Sequence, residues 1–275
     1  MIVYQSRFLT RGEVWFDNSP GHAFVDWIVF HQRSQPVPKA KWRPFYTRLI
    51  ALSQSTDLLL AQMDGFTASD IRKAEKKDKT SCERLQTKNS DTMTDFYEFY
   101  NRFAEWKQLE PANRQWLART ADAGKLDLWK AISPDGVSLV YHALYCDRNR
   151  VRSMHIASLN AEAAGKEAQR KIGRASRCLH WNCMLYYRSI GIGIYDLGGW
   201  YNGSADPARL GINKFKEGFG GSVVCEYEGD KILTIKAWSA ITAARLWGKL
   251  RDQQRSRNQC QQGTVNPEPA LQGSK

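Results

Sequence analysis

Apolar and polar residues alternate along some stretches of this chain and follow helical spacing along others. Residues 46–53 (YTRLIALS) predict a strand, and the following stretch predicts a helix capped by Ser55. Residues 91–108 place aromatic side chains three and four positions apart, which predicts a helix with one buried face. The first half of the chain therefore indicates a strand followed by helices.

Strict alternation begins after residue 124. Three segments predict consecutive antiparallel strands: KLDLWKAIS (125–133), VSLVYHALYC (137–146) and RVRSMHIAS (150–158). The PDG sequence between the first two is typical of a hairpin turn. Beyond them we expect four more elements: a helix over about 174–190, a strand over 192–199, a helix over 206–219 and a strand over 222–229.

These elements predict an α/β (α+β) domain over residues 46–230, with a mixed, mostly antiparallel sheet flanked by helices. Residues 1–45 form an N-terminal extension whose pattern is harder to interpret. Residues 231–257 are expected to contain a C-terminal amphipathic helix, with tryptophans on one side and basic residues on the other. The polar residues 258–275 predict a disordered tail.

Composition adds a preference for anionic partners. Apolar residues make up 42% of the 275 residues, enough for a packed core. Lysine and arginine outnumber aspartate and glutamate by 40 to 28, which gives a formal net charge of +12. This excess favours nucleic acid, a phosphorylated cofactor or anionic lipid headgroups, and it does not choose among them.

The six cysteines predict neither a metal site nor a disulfide framework. They contain no CxxC pair, and Cys178 and Cys183 lie five positions apart, about 140° around a helix, which is poor geometry for sharing an ion. Free thiols suit a reducing compartment. The N-terminus carries charges where a signal peptide has an apolar run, and no apolar window is long enough to span a bilayer. We therefore expect a cytoplasmic protein.

One segment predicts an anion site. Arg170, Lys171, Gly173, Arg174 and Ala175 fall between a predicted strand and a predicted helix. A glycine permits a tight turn there, and the positive end of the helix dipole together with basic side chains would attract a pyrophosphate. A solvated helix start with a glycine for the turn is the alternative interpretation.

The strand order and this R-x-x-G-x-A sequence resemble the GNAT superfamily of acyl-CoA N-acetyltransferases, in which such a loop cradles the pyrophosphate of coenzyme A. Four further motifs occur in the order seen in the Fem-type aminoacyltransferases: IRKAEKK (71–77), ASRCLHW (175–181), YDLGG (195–199) and INKFKEGFGG (212–221). Those enzymes contain GNAT-like folds and build peptidoglycan cross-bridges. The chain looks most similar to their short single-domain relatives, often described as lipid II:glycine glycyltransferase-like.

The resemblance covers residues 46–228 and departs from the family at the N-terminus. The bridge-forming enzymes carry two GNAT-like domains, whereas 45 residues precede Tyr46 here, too few for a full domain. What the resemblance implies is the transferase fold itself, with a parallel pairing of the strands at 150–158 and 192–197. These strands should splay apart at their C-terminal ends, where the cofactor enters.

Four residues are candidates for catalysis. Lys216 matches the lysine of the Fem motif FKxxFGG, which is thought to steady negative charge during transfer. Its alternative role is that of a solvated helix residue. Asp196, at the end of a strand, and His155 are candidates for the base that frees the attacking amine, and Tyr201 for the acid that protonates a leaving thiolate. His155 is equally well explained as a packed interior residue, and Asp196 as a hydrogen-bonded turn residue.

These features predict an N-acyltransferase that moves an acetyl or other acyl group from acyl-CoA to an amino group on a sugar or cell-envelope precursor. Acyl-CoA would be a cosubstrate, and no tightly bound cofactor or metal is expected. The alternative within the same fold is an aminoacyltransferase that uses aminoacyl-tRNA. An alternative of another class is a non-catalytic protein that binds nucleic acid or a membrane surface. The expected location is the cytoplasm, with peripheral contact at the inner face of the membrane as a further hypothesis.

Overall fold

The computed structural model describes residues 1–244, which build one ten-stranded sheet. The strands are β1 (Ile2–Ser6), β2 (Leu9–Trp15), β3 (Trp27–Arg33), β4 (Lys41–Ala51), β5 (Ser81–Leu85), β6 (Leu126–Ile132), β7 (Ser138–Asp147), β8 (Arg150–Ser158), β9 (Ile194–Gly199) and β10 (Ser222–Ile232). Their order across the sheet is β1-β2-β3-β10-β4-β9-β8-β7-β6-β5. Among these strands, only the β2–β3 and β8–β9 pairs are parallel. The predicted fold class is confirmed.

Helices cover both faces of the sheet. They are α1 (Thr56–Ala61), α2 (Gly65–Lys76), α3 (Ser90–Lys107), α4 (Arg114–Asp122), α5 (Gly165–Ser189) and α6 (Pro207–Glu217), and residues 235–244 are also helical. On one face α2 and α5 share a core with the sheet, in which Ile71 and Leu179 meet Leu144. On the other face, which we name the α3 face, Phe96 and Leu117 pack with the sheet residue Leu128.

The hairpins and helix ends follow the local sequence. The predicted strands 125–133, 137–146 and 150–158 are present as β6, β7 and β8, each antiparallel to the next. Helix α3 begins after Asn89, whose side chain accepts hydrogen bonds from the amides of Asp91 and Thr92. Its aromatic residues turn toward the sheet, as their spacing predicted, and Phe96 is fully buried.

The first 45 residues take part in the same sheet. Strand β10 lies between β3 and β4, so the N-terminal strands are joined to the rest of the sheet by a segment from near the other end of the chain. Strand β4 runs from Lys41 to Ala51, across the expected boundary near residue 46. Of the expected C-terminal helix over 237–257, the residues beyond 244 lie outside the described part, as does the expected tail.

Strands β8 and β9 pair in parallel over a short distance only. Their register joins Arg150 to Ile194 and ends at Arg152 and Asp196. Beyond that point β8 continues beside β7, and β9 continues beside β4 as far as Gly199. The two strands therefore leave a gap at their C-terminal ends. The predicted parallel pairing with splayed ends is confirmed.

Candidate functional site

The gap between β8 and β9 is closed from one side by α6. This helix begins after Asp206, whose carboxylate caps the amides of Ala208 and Arg209. From its last turn the ammonium of Lys216 donates a hydrogen bond to the carbonyl oxygen of Gly199, at 2.5 Å.

A glycine in an unusual backbone conformation lies beside this contact. Gly198 has φ +77°, a conformation that favours glycine, and a Cβ atom there would lie 3.0 Å from the carbonyl oxygen of Ser153 on β8. The same Cβ atom would lie 4.0 Å from the Lys216 ammonium. Gly198 of the YDLGG motif therefore lets β9 pass close to Ser153 on β8, beside the Lys216 ammonium.

Burial changes the ionisation of Lys216. Desolvation lowers its pKa to about 8, although the carboxylate of Asp196 acts in the opposite direction, and the guanidinium of Arg152 lowers it further. Among the described residues Lys216 makes no ion pair within 4 Å. At neutral pH the group is a cation that can meet developing negative charge, and near pH 8 it can also transfer a proton.

Asp196 lies at the centre of a buried hydrogen-bond network. Its carboxylate accepts from Thr47 Oγ1 (2.5 Å), Gln32 Nε2 (2.8 Å), Arg150 Nη2 (2.6 Å), Arg150 Nε (3.2 Å) and the Gly198 amide (2.8 Å). Burial opposes ionisation, but the neighbouring arginines and the hydroxyl outweigh it and hold the pKa of this carboxyl below its ordinary value. A carboxylate held so firmly is a weak base. The geometry favours a positioning role for Asp196.

Two arginines that sequence reasoning missed complete the cluster. Arg150 is satisfied by carboxylates, since it contacts both Asp196 and Glu226. Arg152 lies between the rings of Trp15 and Phe45, at 5.0 and 5.1 Å, and its buried Nε has no hydrogen-bond partner. Burial lowers its pKa, and within residues 1–244 it makes no ion pair.

A sequence signal for this pair did exist. The strand RVRSMHIAS places two arginines two positions apart, hence on one face of an otherwise mostly apolar strand, which is an unusual pattern for a buried position. Because their contacts come from other strands, the sequence could not show which arginine is paired and which is not.

His155 lies on the same side of β8, against aromatic rings. Its ring meets Tyr100 edge-to-face at 4.8 Å and Trp116 at 6.3 Å. A register shift in the β7–β8 pairing inserts Met154 as an extra residue just before it. Burial lowers the pKa of His155 to about 4, with a further contribution from Arg152, so the ring is neutral at pH 7.

Tyr201 lies just past the end of β9 and is fixed by its backbone. Asn213 on α6 accepts from the Tyr201 amide at 3.0 Å and donates to its carbonyl oxygen at 2.7 Å. The 3–4 spacing of Ile212, Phe215 and Phe219 in the sequence predicts that all three share one buried face of α6. This prediction is wrong for Ile212, which is 54% exposed. Asn213 is buried instead, because its side chain satisfies the backbone of the loop after β9.

The predicted pyrophosphate loop at 170–175 is wrong. Helix α5 begins at Gly165, so these residues lie inside it and the helix already uses their backbone amides. Arg174 is buried and paired with Asp78 and Glu167, while Ala175 packs in the core. The preceding sequence AEAAGKEAQRK is rich in strong helix formers, which explains why the helix starts earlier.

The remaining members of that predicted set are Arg170, Lys171 and Gly173. Arg170 is exposed and lies 3.8 Å from Glu167, one turn earlier on the helix. Lys171 and Gly173 are half-buried on the same helix. The structure therefore brings Lys216, Asp196 and His155 together around Arg152, and it does not bring the 170–175 segment to them as a loop.

Comparisons with known proteins support the fold. The sequence matches no known protein family and no curated protein. The crystal structure of FemX is similar to this chain with a TM-score of 0.55 and 15% identity, over 71% of this chain and 63% of FemX. The structure of L-PGS from Bacillus licheniformis gives a TM-score of 0.50 and 11% identity, over 80% of this chain and 72% of that one.

At these identities the likeness establishes the fold alone. The chain has a GNAT-like fold that resembles FemX, so the predicted resemblance is confirmed at the level of architecture. Because the chain spans 63% of the length of the FemX chain, its activity and substrates are matters for proposal. None of the helices among residues 1–244 is long and apolar enough to cross a bilayer.

Proposed function

We propose that this protein is an acyltransferase that moves an acyl group to an amine in the gap between β8 and β9. One observation carries the proposal: in a FemX-like fold, the half-buried ammonium of Lys216, whose pKa is lowered to about 8, lies in this gap beside the unpaired Arg152. Perturbed ionisable groups gathered in a cleft are typical of a functional site.

In this reaction the acceptor nitrogen attacks the carbonyl carbon of the donor. The new carbon–nitrogen bond places negative charge on the carbonyl oxygen. Lys216 and Arg152, which make no ion pair with any residue in the described part of the chain, are suited to stabilise that charge. Collapse then breaks the bond to the leaving sulfur or oxygen, which takes up a proton. His155 is our candidate to receive the proton of the attacking amine: it is neutral at pH 7 and can accept a proton, although a pKa of about 4 makes it a weak base. Tyr201 is our candidate to protonate the leaving group.

The donor separates two candidate functions. An acyl-CoA donor follows from the GNAT resemblance, but Arg170, Lys171, Gly173, Arg174 and Ala175 offer no loop of amides for its pyrophosphate. That finding, with the FemX-like fold and the net charge of +12, favours aminoacyl-tRNA as the second candidate donor. In both cases the proposed acceptor is an amino group on a sugar or cell-envelope precursor.

Donor titrations followed by transfer assays test the proposal. Ligand binding to the folded state raises the midpoint of thermal unfolding, so we expect either acetyl-CoA or an aminoacyl-tRNA to raise it. With the donor that binds, Lys216→Met should lose transfer at least about a hundredfold, as removal of an oxyanion contact does.

Lys214→Met is the matched control, because Lys214 is an exposed lysine on the same helix. Equal transfer activity of the Lys216→Met and Lys214→Met proteins would show that Lys216 is not catalytic and would argue against the gap as the active site. If neither donor binds, the remaining hypothesis is a non-catalytic protein that binds nucleic acid or a membrane surface.

A membrane location is a separate proposal with its own support. Among the large apolar side chains that are more than half exposed, Phe8, Phe24, Ile235 and Trp238 belong to segments that lie together. Asp26 ties their segments together, since it accepts hydrogen bonds from the Thr10 amide and the Thr234 hydroxyl and pairs with Lys236. Protruding apolar side chains beside a basic residue suit shallow contact with an anionic bilayer at the cytoplasmic face.

A further inference from the structure

A second concave surface lies on the α3 face, on the N-terminal half of the sheet. We name it the β3–β10 groove; it has a volume of about 400 Å³ and its principal lining residues are Arg11, Trp27, Val29, His31, Arg43 and Glu228. The catalytic proposal uses none of them.

The groove and the gap share one side of β4. Thr47 binds Asp196, Phe45 contacts Arg152, and Arg43 binds Glu228, so alternate residues of this strand point to the same side. Arg43 and Thr47 are four positions apart along the strand, which corresponds to about 13 Å. A molecule that fills both the groove and the gap is therefore extended.

Arginine, glutamate and histidine side chains alternate in the groove and directly beneath it. Arg11 lies 2.7 Å from Glu13, and the imidazole of His31 follows at 3.4 Å from the same carboxylate. His31 also lies 3.6 Å from Glu228, which Arg43 contacts at 2.7 Å. Burial opposes ionisation of the two glutamates, but these neighbours hold the pKa of each at about 2, so both remain charged.

Aromatic rings provide the apolar part of the surface. The guanidinium of Arg11 lies 4.7 Å from the ring of Trp27. The ring of Trp15 stacks on His31 at 4.1 Å and also lies 5.0 Å from the Arg152 guanidinium. Trp15 is itself buried, so these rings and paired charges connect the groove to the gap beneath the surface.

We propose that the β3–β10 groove binds the sugar portion of the acceptor, an extended polyhydroxylated molecule whose amine reaches the gap. This inference rests on the proposed acyltransferase function. Each hydroxyl group both donates and accepts hydrogen bonds, so it can use a guanidinium and a carboxylate that lie side by side. The indole of Trp27 offers a flat apolar surface for the face of a sugar ring. Arg11 and Arg43 are less well suited to a phosphate, because both are already paired with carboxylates.

Binding of a disaccharide without any donor tests the inference directly. The probes are fully deacetylated chitobiose and N,N′-diacetylchitobiose, with sorbitol as an acyclic polyol control and uridine monophosphate as an anionic control. Isothermal titration and the fluorescence of Trp27 and its neighbours should show saturable binding of at least one disaccharide and of neither control.

Variants identify the surface. Trp27→Ala should weaken disaccharide binding about tenfold, which corresponds to the loss of one aromatic contact. Val29→Tyr, a strand-compatible substitution that fills the groove, should abolish binding even if Trp27→Ala fails to fold. Trp106→Ala is the matched control, because this tryptophan is 46% exposed on α3, away from the groove.

Each other outcome is decisive. Absence of disaccharide binding by a protein that transfers acyl groups to another amine would overturn the inference and leave the proposed function standing. Binding of uridine monophosphate alone would replace the sugar by an anionic ligand and overturn the inference as stated. Disaccharide binding that neither groove variant alters would place the sugar elsewhere. Saturable disaccharide binding without acyl transfer from either donor would support the β3–β10 groove as a sugar-binding site and would refute the proposed acyltransferase function.

Discussion

Replacing Lys216 by methionine should make the protein more stable at neutral pH while it abolishes transfer. The ammonium is half-buried, hydrogen-bonded to the Gly199 carbonyl oxygen and without an ion pair among the described residues. Methionine keeps an unbranched stem of similar length and carries no charge. The substitution therefore removes a desolvated cation and leaves most of the packing.

The lowered pKa sets the size of the effect. The difference between the ordinary value of 10.5 and about 8, at about 1.36 kcal/mol per pH unit, means that folding with a charged Lys216 costs about 3 kcal/mol. Methionine avoids this cost but loses the hydrogen bond to Gly199, which contributes about 1 kcal/mol. We expect the Lys216→Met protein to gain about 2 kcal/mol in free energy of unfolding at pH 7.

The gain should disappear as the pH rises. A lysine with a lowered pKa binds more protons in the unfolded state between about pH 8 and 10.5, so the free energy of unfolding of the wild-type protein rises in that window. The variant lacks this contribution, and the two proteins should become equally stable near about pH 9.5. Groups that titrate in both proteins cancel in the difference.

Urea unfolding followed by tryptophan fluorescence, at pH 7 and at pH 9.5, measures this difference. Lys214→Met serves again as control and should change stability by less than about 0.5 kcal/mol at either pH. A Lys216→Met protein that is less stable than wild type at pH 7, or a difference that does not change with pH, would refute the lowered pKa. If the Lys216→Met protein is more stable than wild type but transfers the acyl group equally well, the buried charge of Lys216 has no role in catalysis.

Three further predictions concern other parts of the molecule. Asp196→Asn should lower the free energy of unfolding by about 3 kcal/mol or more at pH 7, since it disrupts a fully buried network. In urea titrations this loss should shrink toward acidic pH, because a carboxyl with a lowered pKa loses its stabilising effect as the pH falls through its folded value. Arg174→Ala should lower the midpoint of thermal unfolding, because it breaks the ion pair with Asp78. The KM for the donor should not change; a raised KM would show that Arg174 contributes to donor binding after all. The double substitution of Phe24 and Trp238 by alanine should reduce co-sedimentation with phosphatidylglycerol vesicles, and equal sedimentation of both proteins would argue against membrane contact.

Local periodicity was enough to predict most of the sheet. Strands β6, β7 and β8 alternate in sequence, and a hairpin turn joins the first two, so neighbouring residues alone specify them. The splayed pairing of β8 and β9 came from a resemblance in the order of elements, which is also a property of the sequence. Lys216 was identified as a candidate catalytic residue in the same way, through the motif FKxxFGG.

Local patterns failed where packing decides. Gly173 with its basic neighbours is compatible with both a loop and a helix, and the structure resolves this because Ile172 and Ala175 pack against the sheet. Ile212 has the spacing of a buried residue but is exposed. The neighbouring Asn213 faces inward instead, because its side-chain amide forms hydrogen bonds with the backbone of Tyr201 in the loop after β9. Short sequence patterns carry no information about such distant partners.

The groups around the site come from strands far apart in the sequence. Asp196 meets Gln32, which is 164 positions away, because β10 joins the N-terminal strands to β4. That one pairing also places His31 beside Glu228, while Arg152 makes no ion pair with the residues up to 244. Charge in a buried site depends on burial and on which groups lie within a few ångströms, and these are properties of the tertiary structure. The sequence determined the elements and their order, and the sheet topology decided which cations are free to act.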